Sequence, residues 1–228
     1  MDRRREEVFK LGKRPGVNAS TCVKPSDMQK AYEAGTIGRN NPDALITSVW
    51  LVLTQQCGMR AKQEVRNVLN ADIVFSTETS EGGIPKFVEV QERITKTRRG
   101  GNNEVREVAG KAWRDDDYPD ICPVRTIMEY ERRKKKIQKS HNCPFLLGVN
   151  QQARSNPDGT LYWYINSPMG VNTITSLLKN ALEGAGVDLR NQKITASSSR
   201  KNLVQAGADS QVPGHWLSKY MGHKNVNS

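Results

Sequence analysis

The 228-residue chain carries 35 Lys and Arg against 24 Asp and Glu, a formal net charge of +11, and 36% of its residues are hydrophobic. That length suits one large domain, or one domain with a small appendage, and the positive surplus favours a polyanionic partner, of which nucleic acid is the commonest. The cysteines Cys22, Cys57, Cys122 and Cys143 form no Cys-x-x-Cys pair and only three histidines accompany them, which argues against a zinc site or a disulfide framework. Reduced thiols of the cytosol or nucleus fit that pattern. The start "MDRRREEVFK" lacks the apolar core of a signal peptide. The longest apolar run is broken by Thr47, Ser48 and Thr54, too short and too polar to span a membrane.

Residues 1–41 read as a basic N-terminal arm with one short helix near "SDMQKAYEAG", Ser26 serving as N-cap and Gly35 as the stop. In "NPDALITSVWLVLTQQCGMR", Asn41 can cap, Pro42 suits the first helical position and Gly58 can end the helix. Apolar residues run almost all round it, which predicts a deeply buried helix. "RAKQEVRNVLNAD" predicts a second, shorter one. "DIVFSTE" and "KFVEVQER" read as strands separated by "TSEGGIP", and "ITKTRRGGNNEVREVAG" as a third strand region with a Gly-Asn turn. "ICPVRTIMEYERRKKKIQK" is helical, with Ile121, Val124, Ile127, Met128 and Ile137 apolar. A polar connection with "NPDG" and the aromatic cluster "YWYI" follows, then helical "VNTITSLLKNALEGAG", "SSSRKNLVQAGA" and "QVPGHWLSKYMG". The pattern predicts a mainly α chain with one small antiparallel sheet, an α+β class.

Several cations could carry chemistry. Arg60 follows a glycine at the end of the buried helix, where its rigid fork could read a phosphate, although pairing with Glu64 at i+4 is the simpler role. Arg200 lies in the first turn of a serine-opened helix, where free N–H groups favour an anion, although a capped helix with a solvated arginine is the simpler role. Lys96, with Arg98 and Arg99 beside it, sits at a hairpin signal and is by itself a solvated point charge. His223 after Gly222 could donate to a ligand or cap a helix, and His215 reads as structural. "ERRKKK" at 131–136 reads as a solvated helix face, or one lying along a nucleic-acid backbone.

In order, "NPDALITSVWLVLTQQCGMRAKQEVRNVLNADI", "ITKTRRGG", "CPVRTIMEYERRK", "YWYINSPMGVNTITSLLKNALEGAGV", "ITASSSRKNLVQAGA" and "MGHKNVNS" resemble a tyrosine recombinase catalytic domain. More closely, they resemble its Crypton-derived branch, as in the C-terminal domain of MYM-type zinc-finger proteins and of the related glutamine-rich protein. The resemblance implies that Arg60 and Arg200 are the two catalytic arginines, that Lys96 is the hairpin lysine protonating the leaving oxygen, and that His223 holds the late histidine-or-tryptophan position. It implies DNA contacts from Arg60, Lys96, Arg98, Arg99, Arg200, Lys201 and Lys224, with no metal or other cofactor. Paired arginines make sense because the pentavalent transition state gains negative charge. The nucleophile in such enzymes is a tyrosine that forms a 3′-phosphotyrosine link.

Two departures set the functional expectation. Ser197 stands where the resemblance calls for the histidine of His-x-x-Arg, and serine is no acid–base group near neutral pH. No tyrosine follows His223; Tyr220 precedes it, and Tyr162 and Tyr164 come too early. We therefore expect a tyrosine recombinase-like domain over 42–228, interrupted before its last helix, that binds double-stranded DNA in the nucleus without strand transfer. Two alternatives stay open: a fragment of an active element-encoded recombinase or integrase, and a protein-interaction module of a nuclear transcription-regulatory protein. Nuclear protein partners and a homo-oligomer on DNA belong to the same expectation, and a membrane does not.

Overall fold

The structure, a computed structural model, describes residues 20–80, 82–91 and 110–220. Helix α1 spans Pro25–Glu33. Its N-cap is Lys24, not the expected Ser26, because Pro25, which has no N–H to satisfy, takes the first position. Gly35, at φ +68°, turns the chain out of the helix. Val23, Ala31 and Ile37 join the main core.

Helix α2, Pro42–Leu51, is the central element, and all its residues except Asp43 are buried. The Asn41 side chain accepts from Ala44 N at 2.8 Å, capping it as expected. The helix does not run straight to Gly58. A π-helical turn, Val52–Gln56, follows, closing with Cys57 N donating to the Val52 carbonyl at 3.0 Å. Gly58 then adopts φ +65°. The single helix expected over 60–72 is instead helix α3, Gln63–Arg66, and a 3₁₀ turn, Asn70–Asp72. The break has a tertiary cause: Phe145 N donates to the Val68 carbonyl at 2.8 Å, and Asn70 N to the Cys143 carbonyl at 3.0 Å.

Strands β1 (Ile73–Phe75), β2 (Phe87–Val90) and β3 (Gly110–Trp113) form an antiparallel sheet in the order β1-β2-β3. Phe75 and Ala112 both pair with Val88, so Val88 and Ala112 face the core, while the Phe87 and Trp113 rings, 5.1 Å apart, lie on the other face. The expected third strand region, 94–110, meets the described residues only at Gly110, where β3 starts.

Helix α4, Pro123–Arg132, ends earlier than the sequence suggests, and a 3₁₀ turn, Lys136–Lys139, follows. Past the end of the helix, Lys134 and Gln138 turn inward. Lys134 is fully buried: its ammonium donates to Glu131 at 2.7 Å and to Asn70 Oδ1 at 2.9 Å, and lies 4.1 Å from the Phe145 ring centre. Burial pulls its pKa down to about 8, with Glu131 opposing the shift. Gln138, also buried, donates to the Tyr164 carbonyl at 2.8 Å. Ile121, Met128 and Ile137, which look like core positions in the sequence, are exposed, Ile137 by 67%.

A second antiparallel sheet, absent from the sequence reading, pairs β4 (Leu147–Val149) with β5 (Tyr164–Pro168) around helix α5 (Gln151–Ser155). Helices α6 (Val171–Gly184), α7 (Ala196–Asp209) and α8 (Gly214–Tyr220) complete the described chain. The architecture is a mainly helical α+β fold, as expected, with two small antiparallel sheets where the sequence predicts one. Among the described residues no helix is long and apolar enough to cross a membrane.

Candidate functional site

Arg60 sits on a turn held from several sides. Met59 N donates to the Leu53 carbonyl at 3.0 Å, and the Trp50 indole N–H donates to the Ala61 carbonyl at 3.1 Å. Glu64 accepts from the backbone N–H of Arg60 through its carboxylate. The buried helix therefore fixes the backbone while the Arg60 side chain is exposed. A rigid base under a solvent-facing guanidinium is what bidentate phosphate recognition requires.

Arg200 lies in the first turns of α7. Thr195 caps that helix, its hydroxyl accepting from Ser197 N at 3.2 Å while Ser198 Oγ accepts from Thr195 N at 3.1 Å. Ser197, at the expected histidine position, is exposed; Ser198 and Ser199 are fully buried, and Arg200 is half-buried. Lys201 reaches the other way, its ammonium donating to the Ser20 carbonyl at 2.5 Å, and Asn202 accepts from Val23 N at 2.8 Å. The start of the described chain is thus laid along α7.

Three contacts gather these pieces at the Cys57–Gly58 turn. First, Thr54 in the π-helical turn and Ser199 in α7 share a buried hydroxyl–hydroxyl hydrogen bond of 2.5 Å. Second, β3 begins against the turn: a Cβ on Gly110 would overlap the Cys57 carbonyl oxygen and lie 2.9 Å from the Cys57 carbonyl carbon and Cα. Third, the Tyr220 hydroxyl donates to the Gln56 carbonyl, and a Cβ on Gly58 would meet the Tyr220 carbonyl oxygen at 3.0 Å. Lys96, Arg98, Arg99, His223 and Lys224 lie outside the described residues.

Of the expected site, then, the Arg60 turn and the Arg200 helix are docked on each other, and the strand that follows the Lys96 stretch starts against the turn that leads into Arg60. Thr54, Ser199, Gly110 and Tyr220 are not singled out for this site by the sequence. Tyr220 is the nearest to legible, because it comes three residues before His223 in the stretch that carries the resemblance. Among the described residues no group of three or more His, Cys, Asp or Glu side chains could hold a metal ion. The chemistry available is that of two arginine side chains, one exposed and one half-buried, suited to binding an anion.

Solved structures of tyrosine recombinases share this arrangement of helices and small sheets. XerA recombinase superposes with a TM-score of 0.51 at 11% identity, over 94% of this chain and 58% of that one. A lambda integrase(75-356) dimer bound to a COC' core site gives 0.52 at 13% identity, over 97% of this chain and 65% of that one. The fold is that of a tyrosine recombinase catalytic domain, and the chain spans less than two thirds of either structure. The chain belongs to the family described as "Domain of unknown function (DUF3504)", which matches residues 23–183 and so includes Arg60 but not Arg200. No curated protein matches the sequence.

Proposed function

We propose that the chain is a DNA-binding, tyrosine recombinase-like domain of Crypton-derived origin, and that it grips backbone phosphate of double-stranded DNA with Arg60 and Arg200. The observation that carries this reading is the docking of the Arg60 turn on the Arg200 helix through Thr54 and Ser199. The +11 charge supplies the long-range attraction. In this reading Lys96, Arg98, Arg99 and Lys224 add phosphate contacts, while Lys201, expected among them, is turned to the Ser20 carbonyl instead; His223 donates to the same phosphate, and the protein works in the nucleus, as a dimer or higher oligomer on DNA.

Strand cleavage by the family's route would need a tyrosine hydroxyl to attack phosphorus while Lys96 protonates the departing 5′-oxygen. Ser197, at the position where that route uses a histidine, cannot assist proton transfer. The Tyr220 hydroxyl is engaged with the Gln56 carbonyl, which accepts a hydrogen bond but is no base. Duplex binding is the function we assign to these residues.

The test is duplex binding by fluorescence anisotropy across a salt series. Binding should weaken steeply with salt. Arg60→Ala or Arg200→Ala should each lower the slope of log K against log salt by about 0.9 for every phosphate no longer neutralised. Salt-insensitive binding, or variants that bind like the parent, would refute the reading. A second reading, a protein-interaction module, draws on exposed apolar side chains at the C-terminal helices, including Trp216, Val212 and Val204. Capture of a defined protein partner by a chain that does not bind DNA would favour it.

A further inference from the structure

We propose that Thr54 and Ser199 are positioning residues: their hydrogen bond sets the Arg60 turn against the Arg200 helix so that both guanidiniums address one phosphate. The inference rests on the phosphate-binding reading above and names the device that would make it work.

The hydrogen-bond geometry assigns the protons. Thr54 Oγ1 lies 2.9 Å from the Trp50 carbonyl oxygen, 3.3 Å from that of Leu51 and 2.5 Å from Ser199 Oγ. Carbonyls only accept and each hydroxyl has one proton, so Thr54 donates to its own helix and Ser199 donates to Thr54. Both side chains are fully buried, which makes each bond costly to lose.

Packing alone does not require the hydroxyls. Thr54 follows Leu51, Val52 and Leu53 in a buried apolar stretch where valine would fill the same space. An apolar contact is non-directional and tolerates sliding, whereas a short buried hydrogen bond fixes both distance and angle. Its two ends lie where displacement matters. Ser199 precedes Arg200 directly. Thr54 sits in the π-helical turn, whose closing bonds, Cys57 N to the Val52 carbonyl and Met59 N to the Leu53 carbonyl, lead the chain into Arg60. The same hydroxyl satisfies helix carbonyls where the widened turn alters the backbone pairing, so the wide turn and the docking of α7 depend on one side chain.

The experiment uses the full chain with Thr54→Val, Ser199→Ala and Thr54→Ser, alone and combined with Arg200→Ala. Readouts are duplex-DNA affinity and amide hydrogen exchange. We expect Thr54→Val to weaken binding about fivefold, the loss of one net hydrogen bond, and Thr54→Ser to restore most of it. On the Arg200→Ala background Thr54→Val should cost little more, because the two changes act through one contact. Exchange should rise together in 52–60 and 196–202 while the rest of the core stays protected. Ser199→Ala carries the test if Thr54→Val fails to fold. Unchanged affinity in both hydroxyl variants, an equal loss with and without Arg200, or faster exchange around residue 54 alone overturns the proposal. If Arg60→Ala and Arg200→Ala themselves leave binding intact, the phosphate reading falls and takes this proposal with it.

Discussion

Replacing Lys134 with methionine should remove a pH dependence of stability that the parent shows on the alkaline side. The Lys134 ammonium is enclosed by Glu131, Asn70 and the Tyr130 and Phe145 rings, with Lys139 and Cys143 as the other titratable neighbours. Its pKa of about 8 in the folded chain compares with an ordinary 10.5. Below pH 8 both folded and unfolded chains hold the proton, and the burial penalty is fully present. Between about 8 and 10.5 only the unfolded chain holds it, so stability climbs as pH rises. The gap corresponds to about 3 kcal/mol, of which about 2 kcal/mol develops by about pH 9.5. For a chain of this size that is about 4–8 °C in melting temperature. Buried Tyr130 and Tyr164, whose hydroxyls are pushed well above 10, oppose the gain above about pH 10, which sets the upper limit of the window. Urea unfolding of parent and Lys134→Met at pH 7.5 and 9.5 measures the difference. The parent should gain stability relative to the variant by about 2 kcal/mol across that interval. Parallel curves would mean that Lys134 is hydrated in solution and that the 133–139 turn is not built on a buried amine.

Other changes probe the site. Gly110→Ala places a methyl group against Cys57 backbone, which cannot swing aside as a side chain could, and should cost about 1–3 kcal/mol in urea unfolding; an unchanged midpoint would mean β3 does not rest on the turn. Arg60→Lys keeps the charge and loses the fork, so duplex affinity should fall several-fold while the salt slope stays close to the parent's; equal affinity would reduce Arg60 to a structural residue. Ser197→His puts an imidazole at an exposed position in the first turn of α7. Its affinity advantage over the parent should appear only as pH falls below about 6.5, and a ratio flat with pH would place residue 197 away from the phosphate.

How far the fold is legible depends on whether its cause is local. Asn41, Pro42 and Gly58 mark α2 and its exit through capping, ring geometry and positive φ, all readable within a few residues. Lys134 reads as part of a solvated helix face and Gln138 as an ordinary polar residue, since the partners that allow their burial, Asn70 and Tyr164, are distant in sequence. The β4–β5 sheet escapes notice because "YWYI" contributes only Tyr164 and Ile165 to a strand whose partner lies in a stretch that reads as a polar connection. Arg60 and Arg200 stand out through resemblance and order along the chain. Thr54 and Ser199, 145 residues apart, carry no pattern that marks them as a pair.

The two glycines at the turn bear on how such a site could be found in other chains. Gly58 needs its positive φ and its open flank for Tyr220, and Gly110 has backbone where a side chain would begin. Arginine is abundant in basic proteins, so two arginines a hundred and more positions apart discriminate poorly. A glycine two residues before the first arginine, with another at the start of the strand that packs on it, is a stricter filter, since neither position has room to drift. Divergent chains that keep the arginines but fill either glycine would have to separate β3 or α8 from the turn, and their arginines would then mark a different site.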